Sequence, residues 1–332
     1  MHGGVTAGND HTGLSVNAGY LDSGGFSAAN ADEPFGSFNP DKDNHRNRNF
    51  SASLVHRFGP DQEAGLNAYY TDGFTRFDGG PSTDDITRQR IGVFSAYTKN
   101  KITDVWSSLL KIGVAQDQVS TVGSFPGVLS SRQSQVTWQN DFQTNVGTFI
   151  GGIEYLRQQA RGHNDFEETE RNIWSGFAGY TGEFGRHIVQ ASLRYDNNSQ
   201  FGDQVTGSAG YAFRLTDVVR LRASLGTAFH APTFYDLYFP FIGNPDVKPE
   251  RSRSWELGTD FNLGAQRIGV TYFENRIRDL IVLRPPTFTA FNVDEARIRG
   301  LELSYRAEIA GFDVAGNLTW QDPENSDTHK QL

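Results

Sequence analysis

Two stretches of the chain hold carboxylates at spacings that suit a metal ion. "NPDKDN" sets Asp41 and Asp43 two residues apart, and "YTDGFTRFDGG" supplies Asp72 and Asp78. Hard cations such as Ca2+ take about six to eight oxygen ligands, so acids that converge from neighbouring loops could hold one. The Asp41-x-Asp43 start has the form of an EF-hand loop. Arg46, however, stands where that loop needs glycine, and Ala52 where it needs the bidentate glutamate, so an EF-hand is excluded. Asp and Asn also populate ordinary turns, and that second reading stays open at the level of sequence.

Other chemistry finds less support. "GHNDFEETE" gathers His163, Asp165, Glu167 and Glu168, but without a metal-ligand spacing such as HExxH. There is no GxSxG motif, and no glycine-rich phosphate loop lies between a strand and a helix, so the expectation is that the protein is not an enzyme. With no cysteine there is no disulfide and no thiolate chemistry. A net charge of -9 without a basic block argues against a nucleic-acid partner. Phe35, Phe38, Phe74, Phe77, Phe125, Phe239 and Phe241 could cover a bulky ligand or pack the loops on one another.

The elements that must position these residues are strands. "VRLRASLG" puts Val219, Leu221, Ala223 and Leu225 on one face and Arg220, Arg222 and Ser224 on the other. "WELGTDFNL", "LELSYRAEI" and "FDVAGNLTW" alternate in the same way, with Glu302, Arg306 and Glu308 on a polar side. Period-two patterning of this kind marks half-buried antiparallel strands. About 15 such segments of roughly 9–12 residues are expected, the length a tilted membrane-crossing strand requires. Short turns near 58–63, 100–104, 144–147, 183–186, 215–218, 263–266 and 309–312 alternate with long polar loops near 22–47, 73–87, 118–131, 159–171, 197–203, 227–252 and 278–293. That alternation fits an up-and-down transmembrane barrel with all its long loops at one end.

A mean hydropathy of -0.51 does not oppose a membrane setting. Lipid-facing residues of a barrel occupy only every second position, so no long apolar run is needed. Aromatics near strand ends (Tyr20, Tyr69, Tyr97, Trp106, Trp138, Tyr155, Trp174, Tyr195, Trp255, Trp320) are expected at the membrane interfaces. The odd strand count, the polar "QDPENSDTHKQL" and a start without a signal peptide together suggest a fragment cut at both ends.

The stretch Leu225–Gly258, "LGTAFHAPTFYDLYFPFIGNPDVKPERSRSWELG", resembles the signature of TonB-dependent outer-membrane transporters. "YFENRIRDLI" with "FNVDEARIRGLEL" resembles the next hairpin of such barrels. "RYDNNSQFG" and "FNPDKDNHRNRNFS" are similar to the cobalamin-receptor branch. The resemblance implies an all-β antiparallel transmembrane β-barrel of 22 strands, of which residues 1–332 would supply about 15 in one partial barrel domain, the plug domain and C-terminal strands lying outside it. It further implies a Gram-negative outer-membrane location, cobalamin or another large chelate as ligand, TonB as energy-coupling partner, and a monomer when complete. In that branch the matching acids, here Asp41, Asp43, Asp72 and Asp78, would bind Ca2+ and order the ligand site. A siderophore or haem receptor is the alternative, with a passive porin or surface adhesin behind it. The polar residues of the barrel wall would line a lumen.

Overall fold

The computed structural model describes residues 1–27, 29–34, 36–124, 126–162, 166, 169–240, 242–284, 287–326 and 328–331, with the side chain of Asp294 also set aside. The calls on Phe35, Phe125, His163, Asp165, Glu167, Glu168 and Phe241 fall outside these residues. The chain divides into two compact units, residues 1–140 with 154–173 and residues 141–153 with 174–332.

The first unit is built from β1 (His2–Gly8), β2 (Thr12–Ser23), β3 (His45–Arg57), β4 (Gln62–Gly80), β5 (Thr83–Lys101), β6 (Trp106–Val122) and most of β7 (Gly127–Thr144). β8 (Gly147–Gly162) and β9 (Glu170–Phe184) contribute their ends nearest residues 163–169. Each of β1 to β6 pairs antiparallel with its sequence neighbour. In-register rows keep like with like. Leu14, Leu54, Leu66, Ala96 and Ile112 fall in one row on the apolar face, and Phe50 lies beside Tyr70 on the same face.

The second unit holds the remainder of β8 and β9, then β10 (His187–Asn198), β11 (Gly202–Arg214), β12 (Val219–His230), helix α1 (Phe234–Tyr238), β13 (Glu250–Leu263), β14 (Gln266–Arg284), β15 (Thr289–Ile309), β16 (Phe312–Asn325) and the short β17 (Lys330–Gln331). β10 to β17 again pair in sequence order, all antiparallel. The β15–β16 turn shows how the sequence sets the register. Ala310 and Gly311 both have positive φ, the two-residue geometry that suits the right-handed twist of a hairpin, so Ile309 closes on Phe312.

The usual order of inside and outside is inverted. The buried apolar residues described are few and mostly small, such as Ala160, Ala296 and Ala307. Large apolar side chains stand exposed in rows: Leu225 is 61% exposed, Leu318 68% and Trp320 71%. A continuous exposed apolar face of this extent needs a non-aqueous partner. The opposite face is ionic, with Arg220 2.8 Å from Asp260 and Arg222 3.5 Å from the same carboxylate. Tyr69 and Tyr97 correct the expected aromatic set. Their register puts them on the polar face, where the Tyr97 hydroxyl donates to Glu63 at 2.9 Å, and Tyr70 takes the apolar-face position.

Two further differences concern extent. Among the described residues seventeen strands form where about 15 were expected, because "GNDHTG" makes a hairpin turn between β1 and β2 and β17 follows β16. Four expected long loops are mostly strand. β4 and β5 stay paired to Gly80↔Thr83, and β14 and β15 to Arg284↔Thr289. The β4–β5 stem is mostly polar on both faces, so the apolar half of the alternation fades there. The β14–β15 stem runs through the continuous apolar stretch Leu280–Leu283, where alternation is lost; in both the backbone ladder continues. Among the described residues, the long connections that remain irregular are 24–44 and 231–249, the latter interrupted by α1. Thr233 and Asp236 form a capping box for α1, and Leu237 is buried against Val247 and Ala290.

Candidate cation site in the outer loops

Asp41 and Asp43 lie in the segment joining β2 to β3, and Asp78 lies near the tip of β4. Ladder pairing brings them together. β3 and β4 pair up to His45↔Thr75, and the Arg76 amide then donates to the Asn44 carbonyl at 3.0 Å, which ties the segment to the β4–β5 stem. The other side of the segment folds back on itself. The Asp43 amide donates to the Phe26 carbonyl, and Gly25 adopts φ +63° with its α-carbon pressed on the Asp43 carbonyl. A Cβ at Gly25 would lie 1.8 Å from that oxygen, so only glycine fits.

One carboxylate oxygen each from Asp41, Asp43 and Asp78 lies within 4.8 Å of the others. Asp78 is partly anchored, since its Oδ2 accepts from the Ser27 hydroxyl at 2.9 Å and the Ala29 amide at 2.8 Å. Its Oδ1 is buried without a hydrogen-bond donor, as are Asp41 Oδ1 and Asn44 Oδ1. Buried acceptors are normally satisfied, so these oxygens have capacity left for a donor or a cation. A hydrogen bond shared with Asp84, then burial, then the charges of Asp84, Asp43 and Asp78 raise the Asp41 carboxyl above its ordinary range. The cluster thus holds more negative charge than its surroundings compensate. Carboxylates plus an amide carbonyl form an all-oxygen donor set, which suits Ca2+ or Mg2+ over softer metals.

Asp72 does not join this cluster. It sits six residues before Asp78, roughly 20 Å down the strand. Arg88 Nε donates to it at 2.8 Å, and Arg90 lies 3.8 Å away. Its carboxylate is therefore neutralised by two arginines on the adjacent strand. Sequence reasoning placed 73–87 in a loop, which hid this pairing; the "RQR" spacing of Arg88 and Arg90 on a strand partner was the available sign. Asn44 and Asp84 were missed. Asp84 comes in because it faces Asp78 across the hairpin.

Two of the expected ligand-covering aromatics are engaged within the protein. The Arg46 guanidinium lies 5.2 Å from the Phe74 ring centroid, and Phe239 stacks on Tyr235 with centroids 4.4 Å apart.

Comparison with known proteins agrees with this architecture. The family model described as "TonB dependent receptor-like, beta-barrel" matches residues 2–332. A vitamin B12 transporter BtuB of Vibrio vulnificus is 32% identical over 224 residues, covering 64% of this chain and 35% of that protein. One of Photobacterium profundum is 28% identical over 303 residues, covering 87% and 48%. The chain thus spans at most about half the length of these curated relatives. Among solved structures, the ferric enterobactin receptor PfeA of Pseudomonas aeruginosa superposes with a TM-score of 0.81 at 17% identity, over 99% of this chain and 60% of that one. The inverted apolar face, the paired strands and the family match lead to one conclusion: the chain belongs to the TonB-dependent receptor β-barrel family of the Gram-negative outer membrane.

Proposed function

We propose that the chain is the barrel portion of a transporter that takes up cobalamin across the outer membrane, driven through TonB, with Ca2+ ordering the outer loops. The single observation that carries the calcium part is the set of orphaned oxygens on Asp41, Asp78 and Asn44 beside Asp43. The ligand part is supported by the vitamin B12 transporters among its relatives. The likeness to the ferric enterobactin receptor bears on fold alone.

Bound there, a divalent cation would neutralise the acid cluster. The residues of this chain do the rest. Asp41 and Asp43 bring the 24–44 segment, and Asp78 the β4–β5 stem, so their closure fixes one loop on the other. Ser27 and the Ala29 amide hold Asp78 in position. The loop then pays its ordering entropy before the ligand arrives, which raises affinity without a new ligand contact. This is binding and gated transport, and no step of it is enzymatic.

The test is ligand binding to the complete receptor gene product, with cyanocobalamin against a ferric catecholate, with and without a calcium chelator. Tight cobalamin binding weakened by chelation supports the proposal. Binding of the ferric chelate but not cobalamin would assign a siderophore receptor instead, and cobalamin binding indifferent to chelation would remove the calcium role.

A further inference from the structure

The lipid-facing surface of the second unit carries arginines directly above its apolar band. Arg251 and Arg253 of β13 lie opposite Arg278 and Arg276 of β14, on the same face as Leu225, Trp255, Leu257 and Tyr272. Arg253 stands two residues beyond Trp255, about 7 Å further out along the strand. An interfacial tryptophan marks the edge of the hydrocarbon, so these guanidinium groups sit at headgroup level.

At the same height the wall parts. β11 and β12 pair from Arg214↔Arg220 only as far as Ser208↔Gly226. Beyond that point β11 continues to Gly202 on β10, and β12 continues to His230 on β13. The Thr227 hydroxyl bridges the start of the gap, accepting from the Gly207 amide at 3.0 Å. Outside it lies a cleft of about 460 Å³ lined by Arg251, Arg253, Arg276 and Arg278, with Asp203 and Glu295 at its margins. Backbone groups facing such a seam have no ladder partner across it, which hydrocarbon cannot tolerate and a polar ligand can relieve.

The charges of the cleft are unevenly compensated. Arg276 holds Glu274 at 2.8 Å, Arg278 lies 3.7 Å from Glu295, and Asp203 accepts from Asn197. Arg251 bonds only the neutral Gln204, at 3.2 Å, and Arg253 has no hydrogen bond or ion pair among the described residues. The first unit differs. There Asp72 takes Arg88 and Arg90, and the β4–β5 ladder continues unbroken through them. Val205 lies in the seam, 63% exposed, and one strand position below the last β11–β12 pair Leu225 is 61% exposed, a surface for an acyl chain.

We propose that this cleft binds the phosphorylated headgroup of an outer-leaflet glycolipid, with Arg251 and Arg253 on the phosphate, Val205 against the headgroup and Leu225 beneath its first acyl chain. Guanidinium forks match phosphate oxygens in paired hydrogen bonds, and the site opens towards lipid, where such headgroups are the concentrated anion. The experiment is native mass spectrometry of the complete receptor titrated with bisphosphorylated lipid A, its dephosphorylated form and inorganic phosphate. Wild type should retain one bisphosphorylated lipid at least tenfold more tightly than R251Q/R253Q, while R306Q, on the polar face, should match wild type. Val205→Trp, which fills the cleft and leaves the arginines, should also lose the lipid, and gel mobility would confirm that each variant is folded. Equal retention by wild type and R251Q/R253Q, or equal binding of the dephosphorylated lipid, overturns the assignment. Displacement of the lipid by inorganic phosphate at equal concentration overturns it in favour of a free-anion site.

Discussion

An arginine at Leu303 tests the assignment of faces on which the membrane reading depends. Leu303 lies opposite Val270 and Leu318 on the apolar face, six residues from Ile309 at the β15–β16 turn. Six residues rise about 20 Å along a strand, and a tilt of about 40° converts this to roughly 15 Å along the membrane normal. In an apolar band about 25 Å tall, Leu303 is therefore within about 3 Å of the midplane. An arginine there should cost about 2–4 kcal/mol. That corresponds to a roughly 30- to 700-fold smaller folding constant at about 1.4 kcal/mol per tenfold. The control is Thr319→Arg, on the polar face of β16 opposite Glu302, which should cost little beside the Glu302 carboxylate. Guanidinium unfolding of the complete receptor in lipid vesicles, followed by tryptophan fluorescence, reads both. Equal costs for the two substitutions, or a larger cost for Thr319→Arg, would refute the orientation of the whole sheet.

Three other outcomes are expected. Asp78→Asn should weaken Ca2+ binding by roughly tenfold or more, by calorimetry, whereas Asp72→Asn should leave it unchanged, because Asp72 is already held by Arg88 and Arg90. Leu237→Ala should loosen the 231–249 loop by about 2–5 kcal/mol, seen as faster amide exchange over α1, since Leu237 is 1% exposed in the cluster with Val247 and Ala290. Arg157 and then Asn172 hold the Glu170 carboxyl below its ordinary range. A depressed carboxylate contributes stability above its unfolded pKa and loses it as pH falls through the lower folded value. The protection factor at the outer end of β8–β9, which corrects exchange for its intrinsic pH dependence, should therefore stay flat from pH 7 to about 5 and fall below about 4, a step that Glu170→Gln removes.

The strands were legible where one face is apolar. "VRLRASLG" and "FDVAGNLTW" declare both their period and their lipid side, and the structure keeps both. The signal failed where neither face is apolar. "TRFDGGPSTDDITRQR" reads as loop because its alternation is polar on polar, yet its backbone remains paired to Gly80↔Thr83. The acids of the candidate site were visible as residue types, and the convergence of Asp41, Asp43 and Asp78 needed only a hairpin and a returning loop. Asp72 could not be sorted from them without register, because its arginines lie on another strand. The arginine cleft was wholly hidden, since it depends on where the β11–β12 ladder stops at Ser208↔Gly226.

The stems that outrun the bilayer bear on how such a receptor diversifies. β4–β5 and β14–β15 carry cross-strand pairs almost to their ends, so each stem is a post whose ladder does not depend on the residues at its summit. Exchange of a tip such as Pro81–Ser82 can then be sampled by mutation, or used to carry an inserted epitope, without disturbing membrane assembly. The 24–44 segment has less freedom, because Gly25 admits no side chain beside the Asp43 carbonyl and Ser27 and Ala29 hold Asp78. New specificities should accumulate at the summits of the posts, while that segment evolves slowly.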